Sequence, residues 1–254
     1  MANSPLSNTV TQLSFSILID GKEIKEDYWV EKITIEKEIG KVSKAKIVFI
    51  DGDPAKNNFP ISDSSDLVPG KTIKIKLGYD SKETDAFDGV ITSQRIKAIN
   101  YEHKNVSQLV VTCQDKAFKL GIVTKTVNFK DKKDSEIISS IISSHGLSKT
   151  VAATTFKHPN MVQYNVSDWD FILDRAKANG MIVTCDAGKL EISAPASSGT
   201  AVLDLDYGSN IISIDAEMRS DSQLKGATYQ AWSSSTQKIA KGVGAEASTP
   251  AHGN

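Results

Sequence analysis

Alternation of apolar and polar positions dominates the first half of the chain. In Leu13-Ser14-Phe15-Ser16-Ile17-Leu18-Ile19 the odd positions are all apolar and Asp20-Gly21 follows. That pattern predicts a half-buried strand entering a tight turn, with Lys22-Glu23-Ile24 starting the return. Further strands are predicted over 32–38, 44–50, 72–77, 89–99, 108–113 and 122–129. In Thr72-Ile73-Lys74-Ile75-Lys76-Leu77 the lysines share one face and the aliphatics the other, as in an antiparallel sheet with one wet side. Between Gly52 and Gly70 the run holds Pro54, Asn57, Asn58, Pro60 and Pro69, too many turn formers for a strand or helix, and reads as a long loop.

Two helices interrupt the strands. The first is predicted from Asp134, read as the N-cap, through Glu136 in its first turn to a stop at Gly146. Its isoleucines at 137, 138, 141 and 142 fall four apart in pairs and make one buried stripe. The second begins at Ser167, whose hydroxyl can cap the helix while Asp170 takes the reciprocal position of a capping box. Trp169, Ile172, Leu173 and Ala176 follow at i, i+3, i+4 and i+7, and Asn179-Gly180 supplies a left-handed stop.

The strand pattern returns at Met181–Cys185 and Leu190–Ile192, then at 202–205, 210–219 and 226–233. The expected fold is mainly β with two short helices (α+β): two barrel-like modules joined by a helical segment. In residue terms these are a polar N-terminal arm (1–11), a first module (12–133), a helical connector (134–180), a second module (181–237) and a flexible tail or linker (238–254). That tail carries no large side chain after Val243, too little apolar surface to offset the entropy of ordering it.

At 254 residues the chain is long enough for one large β domain or two smaller ones. Thirty Lys plus Arg against 31 Asp plus Glu leave a formal net charge of −1, which argues against a dedicated nucleic-acid binder. No apolar run approaches the roughly 20 residues of a membrane-spanning helix, and the polar start shows no signal peptide. The expectation is therefore cytoplasmic assembly. Cys113 and Cys185 each sit inside an apolar run without CxxC spacing and read as buried free thiols, a disulfide between them remaining open until the two strands are placed.

Candidate chemistry is sparse. His103, His145, His158 and His252 stand alone, without a second ligand at metal-binding spacing, and no metal or cofactor is expected. His145, in the last turn of the first helix, fits favourable contact with the helix's negative end. The sequence has no GxSxG, P-loop, GxGxxG or HExxH. Asp168 and Asp170 invite a paired-carboxylate reading, but residues two apart on a helix point to different sides, and acids in a first turn are what the helix dipole favours. A basic stretch, Lys116, Lys119, Lys125, Lys130, Lys132 and Lys133, holds only Phe118 and Phe129 as stacking candidates, and reads as a solvated face or a rim toward an acidic partner. No catalytic residue is expected.

One segment is more specific. Gln163-Tyr164-Asn165-Val166-Ser167-Asp168-Trp169-Asp170-Phe171, continuing to Arg175 and Gly180, resembles the VgrG and phage late control protein D family, the tail hubs of contractile injection systems. The family pattern there is roughly Gln-Tyr, Ser-Asp, an aromatic-rich helix start, an Arg and a terminal Gly. Gln163, Tyr164, Ser167, Asp168, Trp169, Phe171, Arg175 and Gly180 carry the resemblance as a structural motif, and Phe87-Asp88-Gly89-Val90-Ile91 is similar to the family's Phe-x-Gly-x-Ile strand. The resemblance implies a hub protomer whose homotrimer forms a ring of quasi-sixfold symmetry, with an inner tube protein, baseplate proteins and a spike or spike domain as partners. Two departures stand out. The aliphatic Met181-Ile182-Val183 replaces the aromatics usual in secretion-system members and looks closer to phage-tail-like particles. No residues here match the OB-fold and β-helical spike of longer members, so the spike is expected on a separate protein, or this chain is a fragment. The alternatives are a tail-associated cell-wall hydrolase using Asp168 and Asp170, and an oligonucleotide-binding β-barrel.

Overall fold

A computed structural model of the chain describes residues 12–52, 58–101, 104–195, 204–208, 211, 213–215, 217, 226–234 and 236–244. The chain divides into two compact units, one of them spanning Val10–Pro195.

That unit opens with seven strands: β1 (Leu13–Ile19), β2 (Lys22–Glu23), β3 (Val30–Glu36), β4 (Lys44–Ile50), β5 (Thr72–Tyr79), β6 (Lys82–Tyr101) and β7 (Lys104–Gln114). They form one antiparallel sheet in the order β2-β1-β5-β6-β7-β4-β3. Among the described residues this sheet does not close into a barrel; β2 and β3 stand at its edges. Closure needs two edge strands long enough to share a ladder at a common tilt, and β2 contributes two residues. From Ile17 onward the odd-numbered apolar positions face the core, where Ile17, Ile47, Phe49, Ile73, Ile75, Ile91, Leu109 and Val111 are all at most 1% exposed, whereas Leu13 and Phe15 at the start of β1 are 64% and 42% exposed. Each such side chain stabilises the fold by about 1.5–3 kcal/mol relative to exposure.

The long loop is pinned rather than loose where it is described. Buried Asp51 accepts hydrogen bonds from the backbone N–H of Ile61 (2.9 Å) and Ser62 (2.8 Å). Tyr28 donates to Asp66 (2.6 Å), which also pairs with Lys25 (3.0 Å). Ile61 and Leu67 are thereby held down in the sheet's core.

The second half of the unit runs through a 3-10 helix at Lys116–Gly121, then β8 (Thr124–Lys133), α1 (Asp134–Ser144), β9 (Ser148–Val151), β10 (Lys157–Ser167), α2 (Asp168–Ala178), β11 (Ile182–Asp186) and β12 (Lys189–Ser193). β8 pairs antiparallel with β10; β12 pairs antiparallel with β11 and parallel with β9. Ile137, Ile138, Ile141 and Ile142 of α1, and Phe171, Ile172 and Ala176 of α2, share one core with Val183, Cys185, Leu190 and Ile192. β11 and β12 pack on the two helices, their apolar face and the helical stripes covering each other.

Asp115 ties the two halves together. Fully buried, it caps the 3-10 helix by accepting from Ala117 N (2.8 Å) and accepts from Gly188 N (2.8 Å) in the β11–β12 turn. Ser43 adds a hydrogen bond to the Cys185 carbonyl (2.6 Å).

In the other unit, β13 (Ala227–Ser233) and β14 (Lys238–Gly244) form an antiparallel hairpin. Lys238–Gly244, expected to begin an unstructured tail, pairs as a strand, with Ala240 opposite Ala231 and Gly242 opposite Tyr229. The strands expected at 202–205 and 210–219, the arm 1–11, and His103 and His252 lie largely or wholly outside the described residues.

Candidate functional site

The motif singled out in the sequence lies where β10 runs into α2. Ser167 caps α2: its hydroxyl accepts from Asp170 N (3.1 Å) and donates to the Asp170 carboxylate (2.5 Å). Asp168, the first residue of the helix and 3% exposed, turns away from Asp170. Its carboxylate accepts from Lys125 Nζ (2.6 Å), His145 Nε2 (2.7 Å) and Gln163 Nε2 (2.9 Å). Burial alone would raise this carboxyl, yet the hydrogen bonds from Lys125, Gln163 and His145 together hold it below the usual carboxylate value. Gln163, 1% exposed, also donates to the Val166 carbonyl (3.0 Å) and so braces the turn before the helix.

A second cluster mirrors the first at the other end of the helix pair. Asp134 is the first residue of α1, not its cap: Lys133 takes the cap position, and Glu136 accepts the Lys133 N–H (2.9 Å). This frees the Asp134 carboxylate to accept from His158 Nε2 (3.0 Å) and Asn179 Nδ2 (2.9 Å), with Arg175 Nη1 at 3.8 Å. The start of α1 therefore meets the end of α2, and the start of α2 meets His145 at the end of α1. The helices run antiparallel, and each end presents a buried carboxylate to cationic or amide groups at the other, the arrangement their dipoles favour.

The aromatic members of the motif are anchors. Phe171 stacks on Phe129 at 6.0 Å between ring centroids, with the Arg175 guanidinium 6.0 Å from its ring. Trp169 is 8% exposed, and Gly180 stops α2 with φ of +65°. Tyr164 takes no part: a register shift beside Asn165, whose φ is +46°, leaves its side chain 78% exposed.

Gln163, Ser167, Asp168, Phe171 and Arg175 are thus gathered around the two helix ends. Lys125, Asp134, His145, His158 and Asn179 complete the clusters without having been assigned to them from sequence. His145 carried a signal, its place at a helix end; Lys125 sat unmarked in a basic stretch. Asp168 and Asp170 do not converge on a common space, Phe118 and Phe129 form no stacking platform, and among the described residues no three His, Cys, Asp or Glu side chains form a metal-sized group. Cys113 and Cys185 are both free and buried.

This architecture, a seven-stranded antiparallel sheet followed by clasped helices and small sheets, is a tail-protein fold. It matches the tail protein of Neisseria meningitidis MC58 (TM-score 0.62, 17% identity, 94% of this chain and 69% of that one). It also matches the 43 kDa tail protein of prophage MuSo2 from Shewanella oneidensis (TM-score 0.56, 14% identity, 75% of this chain and 55% of that one). A third match is an Escherichia coli protein described as a component of the type VI secretion system with structural similarity to the T4 bacteriophage tail proteins gp27 and gp5 (TM-score 0.53, 13% identity, 86% and 56%). The chain therefore spans between about half and two thirds of the length of these proteins. It belongs to the family described as Alg8 N-terminal domain, whose model matches residues 9–254. No curated protein sequence matches it.

Proposed function

We propose that this chain is the structural hub protomer of a contractile injection machine, without catalytic activity of its own. Three copies close into a ring that connects an inner tube and baseplate to a spike carried on a separate chain or on a further segment, and assembly takes place in the cytoplasm. The observation that carries the reading is the fold, matched over 94% of the chain by a tail protein. The clasp supports it: the segment resembling tail hubs uses its acids, its Arg and its aromatics to lock two helices together. A cyclic trimer uses a different patch on each flank of the subunit. The test is native mass spectrometry with electron-microscopy class averages of the full chain. A trimer with threefold averages is expected; a monomer at every concentration would overturn the proposal. Particle type is a finer step, and the aliphatic Met181-Ile182-Val183 favours a phage-tail-like particle.

A further inference from the structure

The seven-stranded sheet has two unlike sides. Its inner side is the core, and two segments close over it, residues 24–28 and 59–67, which bring Ile24, Tyr28, Ile61 and Leu67 to the apolar cluster. On its outer side the strand register sets side chains in rows. One row crosses β3, β4, β7 and β6 as Lys32, Val48, Val110 and Arg95, and the next as Thr34, Lys46, Thr112 and Ser93. The flanking rows add Lys44 and Lys97. Charge divides the same way. This outer patch carries five exposed cations, Lys32, Lys44, Lys46, Arg95 and Lys97, against Glu31 and Glu36. Elsewhere on the same face Lys74 is balanced by Asp85 (3.1 Å) and Asp88 (3.8 Å). The two covering segments carry four carboxylates, Glu26, Asp27, Asp63 and Asp66, against Lys25, which pairs with Asp66 (3.0 Å); Glu26, Asp27 and Asp63 are exposed. In a chain of formal net charge −1, one side of the sheet is therefore positive and the other negative.

We infer that the cationic outer patch is a docking surface for a second copy of this chain, received through the acidic segments 24–28 and 59–67 of that copy. Opposite signs on opposite sides of one sheet suit a head-to-tail contact, in which each subunit offers one patch forward and a different one backward, the kind that closes into a ring. A face-to-face contact would set the five cations against themselves, and a back-to-back contact the carboxylates, both of which like-charge repulsion disfavours. The middle of the outer patch suits a protein occupant. Ile50 is 52% exposed and donates its N–H to the carbonyl of Trp29 (2.9 Å), itself 71% exposed. An apolar centre with a charged rim, rich in Trp and Arg, is the composition of a protein contact, whereas a phosphate backbone laid across the patch would meet Glu31 and Glu36. The inference rests on the hub reading and assigns it a contact.

The test is charge reversal in the full chain, read by sedimentation equilibrium at low salt. One variant reverses the outer patch, Lys46→Glu with Arg95→Glu; another reverses the covering segments, Glu26→Lys with Asp63→Lys; a third carries all four changes. Each of the first two is expected to weaken trimer association by about a hundredfold or more, since like charges then face each other. The fourfold variant, in which both partners have exchanged sign, is expected to recover the trimer. Unfolding midpoints establish that each variant is folded, and if a reversal fails to fold, Lys46→Gln with Arg95→Gln should weaken association in the same direction. A parent trimer that either reversal leaves intact, as when the patch receives a different protein, would overturn the inference and leave the hub reading standing. Loss of the trimer in the first two variants without recovery in a folded fourfold variant would also overturn it. A parent chain that is monomeric at every concentration would overturn both.

Discussion

Removing the Asp168 carboxylate tests the clasp most directly. Asp168→Ala leaves three donors without their acceptor, and each loss can be sized from its surroundings. Lys125 keeps 39% of its side chain in solvent and recovers most of its hydration, so it contributes at most about 1 kcal/mol. Gln163 retains Val166 but is otherwise sealed from water, and an unmade bond there costs about 1–3 kcal/mol. His145, with 19% of its side chain exposed, adds about 1 kcal/mol on the same grounds. The sum is about 3 kcal/mol, a large fraction of the 5–15 kcal/mol typical of a folded protein. Urea unfolding followed by far-ultraviolet circular dichroism reads it. With an m-value of roughly 2 kcal/mol/M the midpoint falls by roughly 1.5 M. The pH dependence has a definite sign. The folded carboxyl lies below its unfolded value, so its contribution is complete at pH 7 and is lost as the pH falls below about 4, through the lowered folded value. A loss under about 1 kcal/mol at pH 7, or a penalty unchanged down to pH 2, would refute the assignment of Asp168 as the clasp's centre.

Three further outcomes follow from the packing. Trp169→Ala empties a nearly buried indole site and should cost about 3–5 kcal/mol in the same unfolding assay; a variant within about 1 kcal/mol of the parent would contradict its role as an anchor. Gly180→Ala meets no atom within 4 Å and suffers only from its φ of +65°, about 1–2 kcal/mol. Gly89→Ala would place a Cβ 2.3 Å from the Gln114 carbonyl oxygen and should cost more, about 3 kcal/mol; the reverse order of melting temperatures would count against the strand packing. Burial pushes the Cys113 thiol up to about 12 and raises that of Cys185 as well, so neither should react with a thiol reagent at pH 8 until urea unfolds the chain; rapid labelling of the native protein would contradict their placement.

Local periodicity was enough to read much of this protein. The lysine-free inner face of β5, the isoleucine pairs of α1 and the Ser167 cap of α2 are all properties of a few consecutive residues, and each lies where its pattern puts it; of the odd-numbered stripe of β1 only Ile17 and Ile19 are buried. The resemblance carried by Gln163 to Gly180 pointed to tail proteins, and the fold agrees at that level. β9 and β10 escaped notice because Ser148–Val151 and Lys157–Ser167 lack clean alternation; what makes them strands is a partner, β12 or β8, supplied from elsewhere in the chain.

Tertiary structure alone decided the rest. No local signal says that Asp134 gives up capping to Lys133 so that it can meet His158 and Asn179, or that Lys125 reaches Asp168, 43 residues away. Buried carboxylates are tolerated only where donors converge on them, and those donors come from four separate elements. Whether the sheet closes depends likewise on the lengths of its two edge strands, β2 and β3. Sequence determined which residues seek burial, pairing or a helix end; only the folded chain determined which of them meet.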